Sequence, residues 1–160
     1  MDTAFIAREL VEHTAALEAG LKALPTNQRF RAAALEAVYS MAYHLLQQGQ
    51  HHRAMPYFAF LTFYAPTDAR YVAGLATTHQ LAGNHAQALH LYSLAAYLQP
   101  DRPIFVLRMA ECFLRLEGYA PARALLDLVV RHCRERGNVE EIRIRAQAML
   151  ELLAHERATP

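Results

Sequence analysis

At 160 residues and 54% hydrophobic, the chain is long enough for one buried core or a short array of repeats with flanking helices. Its 16 basic and 15 acidic residues leave a net charge of +1, too weak a field to gather nucleic acid or an anionic membrane. It also lacks the run of about eighteen apolar residues that a bilayer-spanning helix needs.

The first ten residues carry Asp2, Arg8 and Glu9 and no continuous apolar stretch, which argues against a cleaved leader. An amphipathic helix is expected over residues 3–23, with Ile6, Leu10, Leu17, Leu21 and Leu24 on one stripe and Pro25 ending it. Three helical hairpins follow. The first pairs 28–48 with 51–64 around Gly49, and the second pairs 68–82 with 85–98 around Gly83 and Asn84. The third pairs 102–116 with 119–136 around Gly118. Pro103 and Pro121 fall in first turns, where a missing N–H is harmless, whereas Pro66 and Pro100 close their segments. Gly137 stops the chain, and Asn138 with Glu141 resembles a capping box. The last helix buries Ile142, Ala146, Met149, Leu150 and Leu153 and is expected to cap the open end of the array. The expected organisation is an N-terminal helix in 1–27, repeats in 28–136 (units of about 35–68, 69–102 and 103–136), and a capping helix with a short tail in 137–160.

A longer period runs through the hairpins. Ala54, Ala88 and Ala122 recur every 34 residues, with Ala42, Ala76 and Ala110 twelve positions before them and Phe58, Tyr92 and Leu126 four positions after. Gly49 and Gly83 keep step while Gly118 falls one residue late, and Arg134 stands where Pro66 and Pro100 close the earlier copies. Small residues at two sites, a bulky apolar residue at a third and a closing proline, in a 34-residue period, resemble the tetratricopeptide repeat. The fold class this implies is all-α: three tandem helix-turn-helix repeats forming a short superhelix, with the N-terminal amphipathic helix before them and the capping helix after. The alanines suit close helix crossings. Met41, Leu45 and Phe58, Leu75, Leu81 and Tyr92, and Met109, Phe113 and Leu126 are expected to fill the volume between hairpins.

In the tetratricopeptide family the first helices of the repeats line a concave groove that holds an extended peptide. The resemblance carries the groove onto Glu36, Tyr39, Tyr43, Leu46 and Gln47 in the first repeat and Arg70, Ala73, Thr77 and Gln80 in the second. In the third it carries it onto Ile104, Leu107, Glu111, Leu114 and Arg115. Tyr39, Tyr43 and Leu46 form one apolar stripe, and Ile104, Leu107 and Leu114 another, so a partner chain is implied. The same stripes also suit packing of Tyr39 and Tyr43 under the N-terminal helix, and of Ile104 and Leu107 under the C-terminal one.

No catalytic pattern emerges. Of nine histidines, His51 and His52 are adjacent and so diverge by about 100° on a helix, and His85 and His90 are five apart and off one face. No His-Glu-x-x-His, Cys-x-x-Cys, Gly-rich phosphate loop or nucleophile elbow occurs, so neither cofactor nor metal is expected. Cys112 and Cys133 do not make a disulfide framework and read as small buried hydrophobes in a reducing compartment, with the cytoplasm as the expected location. An enzyme is not expected.

Three such repeats with a leading and a trailing helix in about 160 residues resemble the class II chaperones of bacterial type III secretion. Leu35-Glu-Ala-Val-Tyr-Ser-Met-Ala-Tyr looks like that family's opening repeat helix, Ala110-Glu-Cys-Phe-Leu like its third, and Val129-Val-Arg-His-Cys with Arg145-Ala-Gln-Ala-Met-Leu like its C-terminal end. The resemblance implies a chaperone whose groove clamps an extended segment near the N-terminus of a secreted translocator, with Tyr39 and Tyr43 at aromatic groove positions. It implies homodimerisation through the N-terminal helix, for which Ile6, Leu10, Leu17 and Leu21 are the candidate residues, unless that helix folds back on the first repeat. A general adaptor in a bacterial assembly, or a co-regulator that also binds a transcription factor, is the alternative; neither nucleic acid nor membrane is an expected partner.

Overall fold

The structure is a computed structural model that describes residues 32–135 and 139–155. The expected helix over 3–23, its dimer stripe, residues 28–31 of the first hairpin and the Gly137–Asn138 stop lie outside the described residues. Seven α-helices and no strand occur among the described residues. They are α1 (Ala32–Gln47), α2 (His51–Tyr64), α3 (Ala69–Leu81), α4 (His85–Leu98), α5 (Pro103–Arg115), α6 (Tyr119–Glu135) and α7 (Glu140–His155).

The spacing of these helices is set by one turn used three times. After α1, α3 and α5 the chain makes the same two hydrogen bonds. In the first, Gln50, Asn84 and Gly118 donate N–H back to the carbonyls of Leu45, His79 and Phe113 at 2.9, 2.9 and 2.8 Å. In the second, Gly49, Gly83 and Glu117 donate to Leu46, Gln80 and Leu114 at 3.0, 3.1 and 3.2 Å. This is the Schellman ending, which requires a left-handed residue just past the helix. Gly49, Gly83 and Glu117 fill that place with φ of 73°, 82° and 59°. The expectation that Gly118 makes the third turn is therefore corrected: the left-handed residue is Glu117, in step with Gly49 and Gly83. Gly118 is glycine for a different reason, since a Cβ there would lie 3.0 Å from the Phe113 ring and 3.3 Å from Pro121.

Between hairpins the devices differ. Asp68 caps α3 by accepting the Arg70 N–H at 2.9 Å, and Pro103 opens α5. Each helix packs on its successor, and α1 also touches α3, as α5 touches α7.

All six alanines of the period have no exposed surface, as close helix crossings demand. The core divides into three clusters along the array, and each is completed by the helix that follows its own hairpin. Tyr71 of α3 closes the first cluster over Ala42, Phe58 and Leu61. Phe105 and Cys112 of α5 close the second over Val72 and Tyr92, and Ala146 and Leu153 of α7 close the third over Leu126 and Val129. Alone, no hairpin buries its apolar face, which is the expected logic of a repeat array. Two residues expected in this filling are corrected: Met41 and Leu81 are each 53% exposed. The counterparts of Met41 (Leu75 and Met109) pack on the preceding cluster and no described hairpin precedes α1, while Leu81 faces a cleft.

Candidate functional site

The inner faces of α1, α3, α5 and α7 carry two adjoining zones. In the first, α1 presents Glu36, Tyr39 and Tyr43 on one stripe beside Arg70 and Tyr71 of α3. Arg70 grips Glu36 through Nη2–Oε1 at 2.5 Å and Nη1–Oε2 at 3.2 Å, and Asp68 through Nη2–Oδ2 at 2.7 Å and Nε–Oδ1 at 3.1 Å. The guanidinium also lies 5.2 Å from the Tyr39 ring centre and 5.3 Å from that of Tyr71, within cation–π range. The Tyr71 hydroxyl donates to Glu36 at 3.1 Å. Arg70 holds the Glu36 carboxyl below its ordinary range, and burial, helped by the bond to Glu36, pushes the Tyr71 hydroxyl up to about 12. Tyr39 packs against Tyr43, Phe58 and Tyr71, with ring centres 6.0, 6.1 and 5.4 Å away, and Tyr43 remains half exposed.

The second zone is a cleft of about 900 Å³ between α3, α5 and α7. Its floor is a polar chain. Thr77 Oγ1 and the buried Tyr92 hydroxyl lie 2.9 Å apart, Tyr92 donates to Gln80 Oε1 at 2.8 Å, and Gln80 Nε2 donates to Glu111 Oε2 at 3.1 Å. Arg108 Nη1 reaches the same Glu111 oxygen at 3.0 Å. Arg145 Nη2 of α7 stands 2.6 Å from Oε1 as an ion pair, off the axis a hydrogen bond would need. Burial pushes the Tyr92 hydroxyl up to about 12, so it stays protonated as the donor in this chain. Leu81, Leu114, Met149 and Leu152 supply apolar walls, and Arg115 lines the rim.

The structure thus brings Glu36, Tyr39, Tyr43 and Arg70 into one cluster, and Thr77, Gln80, Glu111, Leu114 and Arg115 around one cleft. Gln47 is exposed, Leu46 is partly buried against the first core cluster, and Ala73 is partly buried against the second. Ile104 is wedged between the second and third clusters. Leu107 is corrected: it has no exposed surface and lies in the third cluster with Ala146 and Leu153, so it is core beneath α7 and offers nothing to a partner.

No protein-family model matches the chain. It is similar to "Low calcium response locus protein H" of Yersinia pestis, 30% identical over 119 residues that span 74% of this chain and 71% of that one. It is also similar to the chaperone protein SicA of Salmonella typhimurium, 32% identical over 121 residues that span 74% and 70%. Among solved structures it resembles the Yersinia enterocolitica type III secretion chaperone SycD in complex with a peptide of the translocator YopD. That likeness has a TM-score of 0.75 and 28% identity, covering 81% of this chain and 98% of that one. The chain belongs to the class II translocator chaperones of type III secretion.

Several residues that line the cleft carry no mark in the repeat pattern. Arg145, Met149 and Leu152 reach the cleft from α7, which the repeat pattern marks only as a cap, and Arg108 reaches it from α5, one turn before Glu111. Leu81 was assigned to packing, yet it occupies in the second repeat the place that Gln47 and Arg115 occupy in the others, and that register was a usable signal. The chaperone's thiols are poorly suited to attack: Cys112 and Cys133 are buried, and burial pushes Cys112 up to about 11. Among the described residues no group of three His, Cys, Asp or Glu side chains is placed to hold a metal. None of the described helices is long and apolar enough to cross a membrane.

Proposed function

We propose that this chaperone holds an extended segment of a hydrophobic translocator along its concave face, in the bacterial cytoplasm, and keeps it from aggregating before export. The likeness to SycD bound to a peptide of the translocator YopD carries this reading. A half-exposed aromatic stripe and an adjoining cleft with apolar walls support it, since extended peptides dock through spaced side-chain pockets. The groove we assign consists of Tyr39, Tyr43, Thr77, Gln80, Glu111 and Leu114, extended by Leu81, Arg115, Met149 and Leu152 and without Leu107. The work is holding, without bond-making chemistry. We further propose that residues 1–27 form a separate segment that dimerises or folds back; SycD is also solved in an alternative dimer (TM-score 0.76, 27% identity, covering 81% of this chain and 98% of that one).

The test is co-expression with candidate translocators, followed by co-purification and mass identification. A translocator recovered in stoichiometric amount, and soluble only together with this chaperone, is the expected result. Recovery of a hydrophilic assembly component instead, or of nothing, would overturn the reading.

A further inference from the structure

The cleft between α3, α5 and α7 has a charge pattern that a purely apolar peptide would not use. Arg108, Arg115 and Arg145 line it against one carboxylate, Glu111, an excess of two positive charges. The whole chain carries +1, so everything outside the cleft sums to −1. The cleft therefore carries more positive charge than the protein as a whole.

Glu111 does not neutralise it. Its side chain is only 12% exposed and its oxygens are already engaged by Gln80 and Arg108 on one side and Arg145 on the other. Each guanidinium has five N–H donors, and among the described residues Glu111 is the only acceptor that Arg108 or Arg145 meets. Arg115 forms no ion pair among the described residues and is exposed. Glu111 thus tethers two arginines in place, leaving most of their donors, and all of those of Arg115, turned to other acceptors. Arginines anchored in this way lose little freedom when they bind a carboxylate through two parallel hydrogen bonds. Leu81, Leu114, Met149 and Leu152 beside them offer apolar surface at the same place.

We propose that the cleft is a subsite for an acidic side chain of the bound segment, so that the cargo recognised here presents an Asp or Glu next to an apolar anchor. The inference rests on the translocator-binding reading and names the chemistry that would select among extended segments.

Fluorescence anisotropy with labelled 15-residue peptides, tiled across the translocator that co-purifies, tests it on the full chain. In the tightest-binding peptide an Asp or Glu adjoins an apolar anchor, and its replacement by Asn or Gln weakens binding at least about tenfold. Arg115→Glu in the chaperone produces a similar loss, and a Lys in the peptide at that position restores binding to the Arg115→Glu variant. Arg115 is exposed and unpaired among the described residues, so this variant folds, and unchanged far-ultraviolet circular dichroism verifies it. Peptides that bind with less than twofold response to either change would overturn the acidic subsite alone. Failure of every tiled peptide to bind would overturn the translocator reading along with it.

Discussion

Arg70 and Glu36 stand 34 positions apart in the chain, one full period, and join as a two-pronged ion pair across the boundary between the first two repeats. The period thus places like positions of successive repeats side by side, where opposite charges can meet. Asp68 and two tyrosine rings hold the same guanidinium, so Arg70 ties α1 to α3 beside the packing of Tyr71 on the first cluster.

This fastening predicts a pH dependence. Glu36 titrates below its ordinary value because Arg70 binds its charged form, so its contribution to stability is complete above the unfolded value near 4.5 and fades as pH falls through the lower folded value. Arg70→Ala removes that contribution. The pair is largely solvent-exposed, so the loss near neutral pH is at most about 1 kcal/mol. Urea midpoints measured from about pH 6 down to pH 3 should decline more steeply for the wild type than for Arg70→Ala.

Glu117 is a residue with a side chain in a left-handed slot that its two counterparts fill with glycine. Glu117→Gly is expected to stabilise the fold by about 0.5–1 kcal/mol, as relief of left-handed strain outweighs the added freedom of the unfolded chain. The reverse change, Gly83→Ala, meets no atom within 4 Å and should destabilise by about 1–2 kcal/mol through backbone strain alone. Both shifts should be read from the denaturant midpoint at constant slope.

Gly74 crosses directly over Phe58: a Cβ built on it would fall 2.1 Å from the ring Cε1. Gly74→Ala should cost about 1–3 kcal/mol by overpacking the α2–α3 contact. Adding Phe58→Leu should return part of that loss, giving a favourable coupling in a double-mutant cycle.

Leu107 and Tyr43 separate core from groove. Leu107→Ala is expected to lose about 2–5 kcal/mol of stability from the third cluster. Tyr43→Ala, at a half-exposed ring, should stay within about 0.5 kcal/mol of wild type in melting while co-purified translocator falls. A strongly destabilised Tyr43→Ala would place that ring in the core.

What the sequence made legible is the layer that must repeat. The crossing alanines at 42, 54, 76, 88, 110 and 122 are all fully buried because every hairpin crosses its helices alike. What it hid is whatever depends on the neighbour. Tyr39, Ala73 and Leu107 share one register position, yet Tyr39 is only partly buried and Leu107 is sealed, because α7 lies over the third repeat. Gly74 was invisible for the same reason: Ser40 and Arg108 hold the matching positions, and only the second repeat sets the Phe58 ring against that spot. Within the site, the aromatic stripe and Arg115 followed from the repeat register, whereas the pairing of Arg145 with Glu111 depended on where the last helix lands.

That last helix has two tasks that cannot be separated. It completes the third core cluster through Ala146 and Leu153, and it supplies Arg145 and Met149 to the cleft. Fraying at the end of a repeat array is the cheapest opening available to it. Each such opening would dismantle one wall of the groove and uncover the third core together. An occupant bridging α5 and α7 therefore acts as a latch: a loaded chaperone shields α7, and an empty one offers that helix more readily to proteases.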